Sequence, residues 1–330
     1  MKALVLHDVM RWSVDEVPVP EPAAGGMLVK VHACGLCGSD LRTIRSGHSK
    51  VSLPWILGHE ICGEVASLGE GFAGPWRVGQ RLSIGPVVYD PSDPYCIEGR
   101  HELSAGVREI GQQWPGGIAE YAAIPAESVA MGNIVPSPAG MPSEHAAIVE
   151  PGSSVVHAHE RARTGLGDTV LIMGAGPIGC LHIAVARACG ADRIFLSDIN
   201  ARRLELAQTF GPDAVIDASS EDVAARVAEL TDGIGPTVIV TANPSPQAPV
   251  DAVRMAAKGG RIVLFGGLPH GDSSPGVDLN VVHYQNLDLI GLSRFAPRHF
   301  RKSLRLLAAG RVPAEKLVTH VLPLERADEG

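Results

Sequence analysis

A β-dominated domain joined to an α/β domain with a doubly wound parallel sheet is the fold class this sequence predicts, on three observations. Residues up to about 150 read as short β-prone pieces broken by Gly and Pro clusters. Strand-like and helix-like segments then alternate to about residue 292, the pattern of βαβ units around a parallel sheet. Near the start of that alternation, Gly174-Ala175-Gly176-Pro177-Ile178-Gly179 stands between the apolar run Thr169-Val170-Leu171-Ile172-Met173 and the helix-like stretch 180–187.

Taken in order, residues 1–8 form a first strand, too short an apolar run for an export signal and without a cleavage pattern. Residues 28–31 and 120–124 are further strands of the β-dominated part. The α/β part then reads as helix 201–210, strand 214–217, helix 221–230, strand 237–240, helix 247–257 and strand 261–265. A helix at 297–309 precedes a last strand at 317–321. A membrane span at 170–181 is opposed by its turn glycines, by His182 and Arg187, and by its place in mid-chain.

The glycine turn has a chemical meaning. Gly174, Gly176 and Gly179 permit a tight turn, a close approach of backbone to pyrophosphate and tight helix–strand packing, with Pro177 and Ile178 opening the helix whose N-terminus attracts phosphate. Asp198 ends the next strand-like run, Arg193-Ile194-Phe195-Leu196-Ser197, at the spacing where a carboxylate accepts ribose hydroxyls. This is a Rossmann fingerprint, and the expected cofactor is NAD rather than NADP. Arg202 and Arg203 follow, and an arginine there can accommodate the extra phosphate of NADP, so Arg203 joins the cofactor candidates.

Composition narrows the class. A length of 330 residues admits two domains, and a formal net charge of −8 leaves no footprint for nucleic acid or an anionic membrane. The six cysteines, at 34, 37, 62, 96, 180 and 189, are not spaced as a secreted disulfide framework, so a reduced, cytoplasmic protein is expected.

Cys37-Gly38-Ser39-Asp40, Gly58-His59-Glu60 and Glu150-Pro151 supply a thiolate, an imidazole and carboxylates. Those are zinc's ligand types, and a catalytic zinc site uses three protein ligands and keeps a fourth position open. Cys34-Gly35-Leu36-Cys37 also has the spacing of a redox dithiol, but no thioredoxin-like context surrounds it, and Cys34 reads as packing. His157 and His159 lie two apart, on different faces of a helix, and read as structural. His7, His48, His270, His283 and His299 have no ligand-like neighbours.

With these motifs the chain resembles the zinc-dependent medium-chain dehydrogenase/reductase superfamily, sorbitol (polyol) dehydrogenase-like branch, over nearly its whole length. His145-Ala146-Ala147-Ile148-Val149-Glu150-Pro151, followed by Val155-Val156-His157-Ala158, is similar to that branch's hinge. The resemblance implies a GroES-like catalytic domain from 1–151 and 294–330 around an inserted Rossmann domain at 152–293. It implies one catalytic zinc on Cys37 and His59, with Glu60 or Glu150 as the further ligand and the other carboxylate holding the zinc water. Asp40 would orient His59, and Ser39 would take the alcohol proton. Arg294, beside Phe295, resembles a polyol-binding arginine, and Trp55 and Trp114, read as loop residues flanking the zinc segments, could wall the substrate pocket. Relatives are homodimers or homotetramers.

Three departures stand out. The structural-zinc lobe of the family shows four cysteines where this chain has Asp90, Asp93, Cys96 and Ser104, so no structural zinc is expected. The histidine that ends the family's proton relay is Arg42, which holds its proton permanently, with His48 a distant substitute. The chain stops at Ala327-Asp328-Glu329-Gly330 where relatives continue with a helix and strand, so its catalytic domain is trimmed or ends differently.

The function expected is hydride transfer between NAD and a secondary alcohol of a polyol, sugar alcohol, cyclitol or amino-alcohol. The alternatives are a threonine-type or simple secondary-alcohol dehydrogenase and, from another class, a zinc-free NADPH quinone or ene reductase or a non-catalytic nucleotide-binding protein. A small-molecule alcohol or ketone is the expected partner, with no nucleic acid and no membrane.

Overall fold

A computed structural model describes every residue except His270, which lies outside the described residues. The chain forms two compact units: Met1–Ser153 with Arg294–Ala308 and Val318–Gly330, and Ser154–Ser293 with Ala309–Leu317. No helix among the described residues is long and apolar enough to cross a membrane.

The first unit holds β1 (Lys2–Asp8), β2 (Arg11–Glu16), β3 (Met27–Gly35), β4 (Trp55–Ile56), β5 (Glu60–Leu68), β6 (Arg81–Ile84), β7 (Val87–Val88), β8 (Arg108–Glu109), β9 (Tyr121–Ile124) and β10 (Ile134–Pro136). They pair as a five-stranded sheet in the order β10-β6-β5-β3-β9, a three-stranded sheet β2-β1-β4 and the ribbon β7-β8. Alternating residues of β3 and β5, Met27, Val29, Ile61 and Val65, are buried in one apolar cluster with Leu82, Ile84, Ala122 and Ile124. Period-two patterning puts such residues on one face. The last turn, Leu324–Glu329, packs Leu324 and Ala327 against the cluster of Leu4 and Leu6, and Lys2 Nζ lies 2.6 Å from Glu325 Oε1. The end of the chain thus rejoins its beginning.

The second unit is a six-stranded parallel sheet of β11 (Thr169–Met173), β12 (Arg193–Asp198), β13 (Ala214–Asp217), β14 (Val238–Thr241), β15 (Arg261–Leu264) and β16 (Asp288–Gly291). Its order, β13-β12-β11-β14-β15-β16, reverses direction at β11, as in a doubly wound dinucleotide fold. Val170 and Ile172 enter the core on one face, Leu171 and Met173 the core on the other. A strand covered on both faces must be apolar throughout, which is why β11 reads as an unbroken hydrophobic run.

One expected element is absent. Residues 317–321 read as a strand, but the helix Ala314–Leu317 is followed by chain in no strand, with Val321 69% exposed. β-branched residues make a strand only where they pair with a sheet edge, and among the described residues this segment pairs with none.

Asp168, 7% exposed, anchors the approach to β11. It accepts hydrogen bonds from Gly165 N–H at 2.8 Å and Thr237 Oγ1 at 2.7 Å and pairs with Arg261. Burial works against its charge, yet the bonds from Thr237, Gly165 and Arg261 prevail and hold its carboxyl below the ordinary value of 3.8. Its stabilising effect is therefore complete above that value and lost as the pH falls through the lower folded-state value. Asp168→Asn should cost about 2 kcal/mol near neutrality. The deficit should shrink in acid, and urea midpoints at pH 7, 4 and 3 would show it; a constant difference rules out the ionic contribution.

Candidate active site

β3 ends at Gly35, and Leu36 leads to Cys37, extended at the N-cap of the helix Gly38–Ser46. His59 precedes β5, Glu60 opens it, and the ladder register sets Glu60 opposite Gly35. That pairing demands glycine, because a Cβ at 35 would stand 1.9 Å from Glu60 Oε2. With the space left open, ligand atoms of Cys37, His59 and Glu60 lie within 4.8 Å of one another.

Asp40, 4% exposed in the first turn of the same helix, fixes both segments. Its Oδ2 accepts Cys37 N–H at 3.0 Å, and its Oδ1 accepts Gly58 N–H at 3.3 Å and stands 3.4 Å from His59 Nδ1. A carboxylate on a ligand imidazole sets its tautomer and orientation. Ser39 and Arg42 lie exposed on this helix.

Burial pushes the Glu60 carboxyl up to about 7 and that of Glu150 up to about 8. Burial also opposes charge on His59, but hydrogen bonds to Asp40 and Cys37 and the nearby carboxylates hold the ring well above its usual value. Buried carboxylates that gain protons beside an imidazole that gains charge describe a donor set suited to added positive charge. Thiolate, imidazole and carboxylate fit zinc. Glu150, in the helix Val149–Arg161, acts on His59 and Glu60 through charge but stands outside the ligand group found among the described residues.

In the other unit the glycine turn differs residue by residue. Gly174 has φ +125°, and a Cβ there would meet Ala242 O at 2.7 Å. At Gly179 a Cβ would stand 1.9 Å from Gly174 O, whereas at Gly176 it would meet nothing within 4 Å. Open space at the second glycine is where a pyrophosphate needs backbone access. Pro177 starts the helix Pro177–Cys189, with Ile178 in its first turn. Asp198 Oδ2 accepts Ala175 N–H at 2.6 Å and Oδ1 accepts Asn200 N–H at 2.8 Å, tying the turn to the end of β12. Arg203 is exposed in the first turn of the helix Ala201–Gln208, which Asn200 caps.

Arg294 adopts φ +63°, a conformation costing about 1–3 kcal/mol for a residue with a side chain. Its Nε donates to Glu109 Oε1 at 2.8 Å, and the next carbonyl, of Phe295, accepts the buried Tyr89 hydroxyl. Trp55 belongs to β4 rather than to a loop, and packs with Leu4, Leu6 and Ile118. Trp114 forms an isolated bridge with Ile110, packs on the main sheet's core and lies under Arg108. Both tryptophans are half-buried in this unit.

The profile of the alcohol dehydrogenase GroES-like domain matches residues 23–137, and that of the zinc-binding dehydrogenases matches 177–309. The chain is 31% identical over 333 residues to sorbitol dehydrogenase of Bacillus subtilis, covering 100% of this chain and 92% of the relative. The chain belongs to the zinc-dependent medium-chain dehydrogenases. L-galactonate-5-dehydrogenase of Escherichia coli is also 31% identical, over 94% of this chain and 88% of the relative. A zinc-binding dehydrogenase from Sinorhizobium meliloti bound to NADP superposes with a TM-score of 0.91 at 30% identity, covering 99% and 94% of the two chains. This dehydrogenase is an NAD(P)-dependent alcohol dehydrogenase of the polyol-like branch.

Several features of the dehydrogenase escape sequence reasoning. Gly35 is a silent glycine until the register shows Glu60 across from it. Glu109 and Tyr89 lie in segments without a motif. His159 pairs with His182, Nε2 to Nδ1 at 3.1 Å, and burial lowers both rings, that of His159 to about 4. In the lobe that keeps only Cys96 of the four cysteines, Asp93 accepts Tyr95 N–H at 2.8 Å and Ala105 N–H at 2.9 Å, and Ser104 Oγ accepts Asp90 N–H at 3.4 Å. Hydrogen bonds at aligned positions close that loop.

Proposed function

We propose that the dehydrogenase oxidises a secondary alcohol of a polyol, sugar alcohol, cyclitol or amino-alcohol with NAD, using one zinc ion per chain. The observation that carries this reading is the approach of Cys37, His59 and Glu60 to within 4.8 Å, backed by Asp40. Cys37, His59 and Glu60 would hold the metal, with the Glu150 carboxylate as the further candidate near them. Zinc, when bound, supplies the Lewis acidity that acidifies an alcohol or polarises a carbonyl, and the nicotinamide supplies the redox step. Asp40 keeps His59 in its ligating tautomer. Ser39, exposed at the first turn of the helix, passes the alcohol proton to water, because the guanidinium at position 42 accepts none.

The main test is metal analysis with NAD reduction across polyols, cyclitols, amino-sugars and simple alcohols. About one zinc per chain and turnover of a polyhydroxyl substrate are expected; protein that purifies active without metal defeats the reading. For the cofactor, the Asp198 carboxylate repels a 2′-phosphate. Asp198→Ala should cut the NAD-over-NADP ratio of kcat/KM by about tenfold or more, and a wild-type preference for NADP contradicts the assignment. All six cysteines are free thiols, in keeping with a cytoplasmic protein, and a homodimer or homotetramer is the expected assembly.

A further inference from the structure

We infer that Gly116 is a positioning residue for the metal ligand His59: its missing side chain lets one stretch of backbone grip the three carbonyls ahead of His59 and so fixes where the imidazole stands. The inference rests on the zinc-site reading and adds to it a residue that touches no metal.

The grip is made of backbone. Gly116, Gly117 and Ile118 are buried, and their consecutive N–H groups donate to the carbonyls of Ile56 at 2.8 Å, Gly58 at 2.9 Å and Leu57 at 3.0 Å. Those are the last three carbonyls before His59. Gly58 is thereby held at both ends, since its N–H donates to Asp40 Oδ1 at 3.3 Å while its carbonyl accepts from Gly117. Asp40 Oδ1 also stands 3.4 Å from His59 Nδ1. One chain of contacts therefore runs from Gly117 through Gly58 and Asp40 to the imidazole.

Only glycine admits this approach. Gly58 has φ +96°, and a Cβ there would meet Ile118 Cγ1 at 2.5 Å and Cys34 Sγ at 2.7 Å. A Cβ at 116 would stand 2.3 Å from the carbonyl oxygens of both Leu57 and Gly58. Ordinary contact begins near 3.4 Å. The two segments would have to part by about 1 Å, against a tolerance of about 0.5 Å for side chains held in working geometry. Ile118 cannot simply withdraw, because it packs with Leu4, Leu6 and Leu57 and its carbonyl accepts Leu4 N–H at 2.9 Å. The strain falls on the bond from Gly117 to Gly58, and through Gly58 on His59. Losing a supporting contact behind a metal ligand weakens metal binding by about 10–100-fold.

The test compares Gly116→Ala with Gly69→Ala by zinc affinity in competition with a chelator, the visible spectrum of the cobalt-loaded protein and urea midpoints. Gly69 follows the last residue of β5, about 25–30 Å of extended chain from Glu60. A Cβ there would collide with the Ala23 carbonyl oxygen in the same manner. Both variants should lose stability. Only Gly116→Ala should bind zinc about tenfold or more weakly and shift the cobalt bands, with Gly69→Ala within about twofold of wild type. Zinc affinity that falls equally in both, or in neither, overturns the inference. Wild type supplies a readout that needs no variant to fold: by linkage, zinc seated on His59 should slow amide exchange at residues 116–118 together with 58–60. Slowing confined to 58–60 overturns the role of Gly116 while leaving the zinc-site reading intact. Wild type that takes up no zinc defeats that reading, and this inference with it.

Discussion

Cys37→Ala should leave a folded protein that carries almost no zinc and whose kcat/KM falls by about a thousandfold or more, while its NADH affinity stays within about twofold of wild type. The site explains the expected size. Removing the thiol leaves His59 and Glu60 of the three-residue ligand group. The second half of the expectation follows from the chain's division, since the turn Gly174 to Gly179 belongs to the other compact unit and keeps its own hydrogen bonds. Zinc content by emission spectroscopy, NADH fluorescence titration and steady-state rates check the three parts. Retained zinc with full turnover would remove Cys37 from the ligand set.

The second large effect separates two glycines of one motif. Gly179→Ala should destabilise the nucleotide unit by about 3 kcal/mol, because the new Cβ stands 1.9 Å from the Gly174 carbonyl oxygen and backbone cannot rotate away. Gly176→Ala should leave stability nearly unchanged, since its Cβ meets nothing within 4 Å, but should weaken NADH binding by about tenfold or more by filling the space for the pyrophosphate. Urea denaturation with NADH titration distinguishes them, and zinc content should be normal in both. Equal stability losses in the two variants would contradict the open space at Gly176, and unchanged NADH affinity in Gly176→Ala would remove that space from the pyrophosphate site.

Much of this was legible in the chain. The apolar run Thr169–Met173, the glycines after it and Asp198 identify a dinucleotide turn because local chemistry dictates each: both-face burial, backbone approach, and an acid at strand's end. Cys37 and His59 were legible as residue types that zinc selects. The rest depended on partners distant in sequence. Residues 317–321 have strand-forming side chains but pair with no strand among the described residues, and Trp55, read as a loop residue, forms a short strand against β1. Glu109 and Arg294 are 185 residues apart, and nothing in either segment names the other.

The sequence by itself determined the class of chemistry. Ligand types, turn glycines and hydrophobic period are properties of residues and their near neighbours, and they survive without coordinates. Tertiary structure alone decided the assignments that depend on distance. The register of β3 on β5 set Glu60 against Gly35 and carried its carboxylate to Cys37 and His59, while Glu150 stayed outside that group. Folding also joined Arg294 to Glu109. The physical reason is common to both. Charge interactions and metal coordination act over a few ångströms of space, and only the packed chain converts separations of tens or hundreds of residues into such distances.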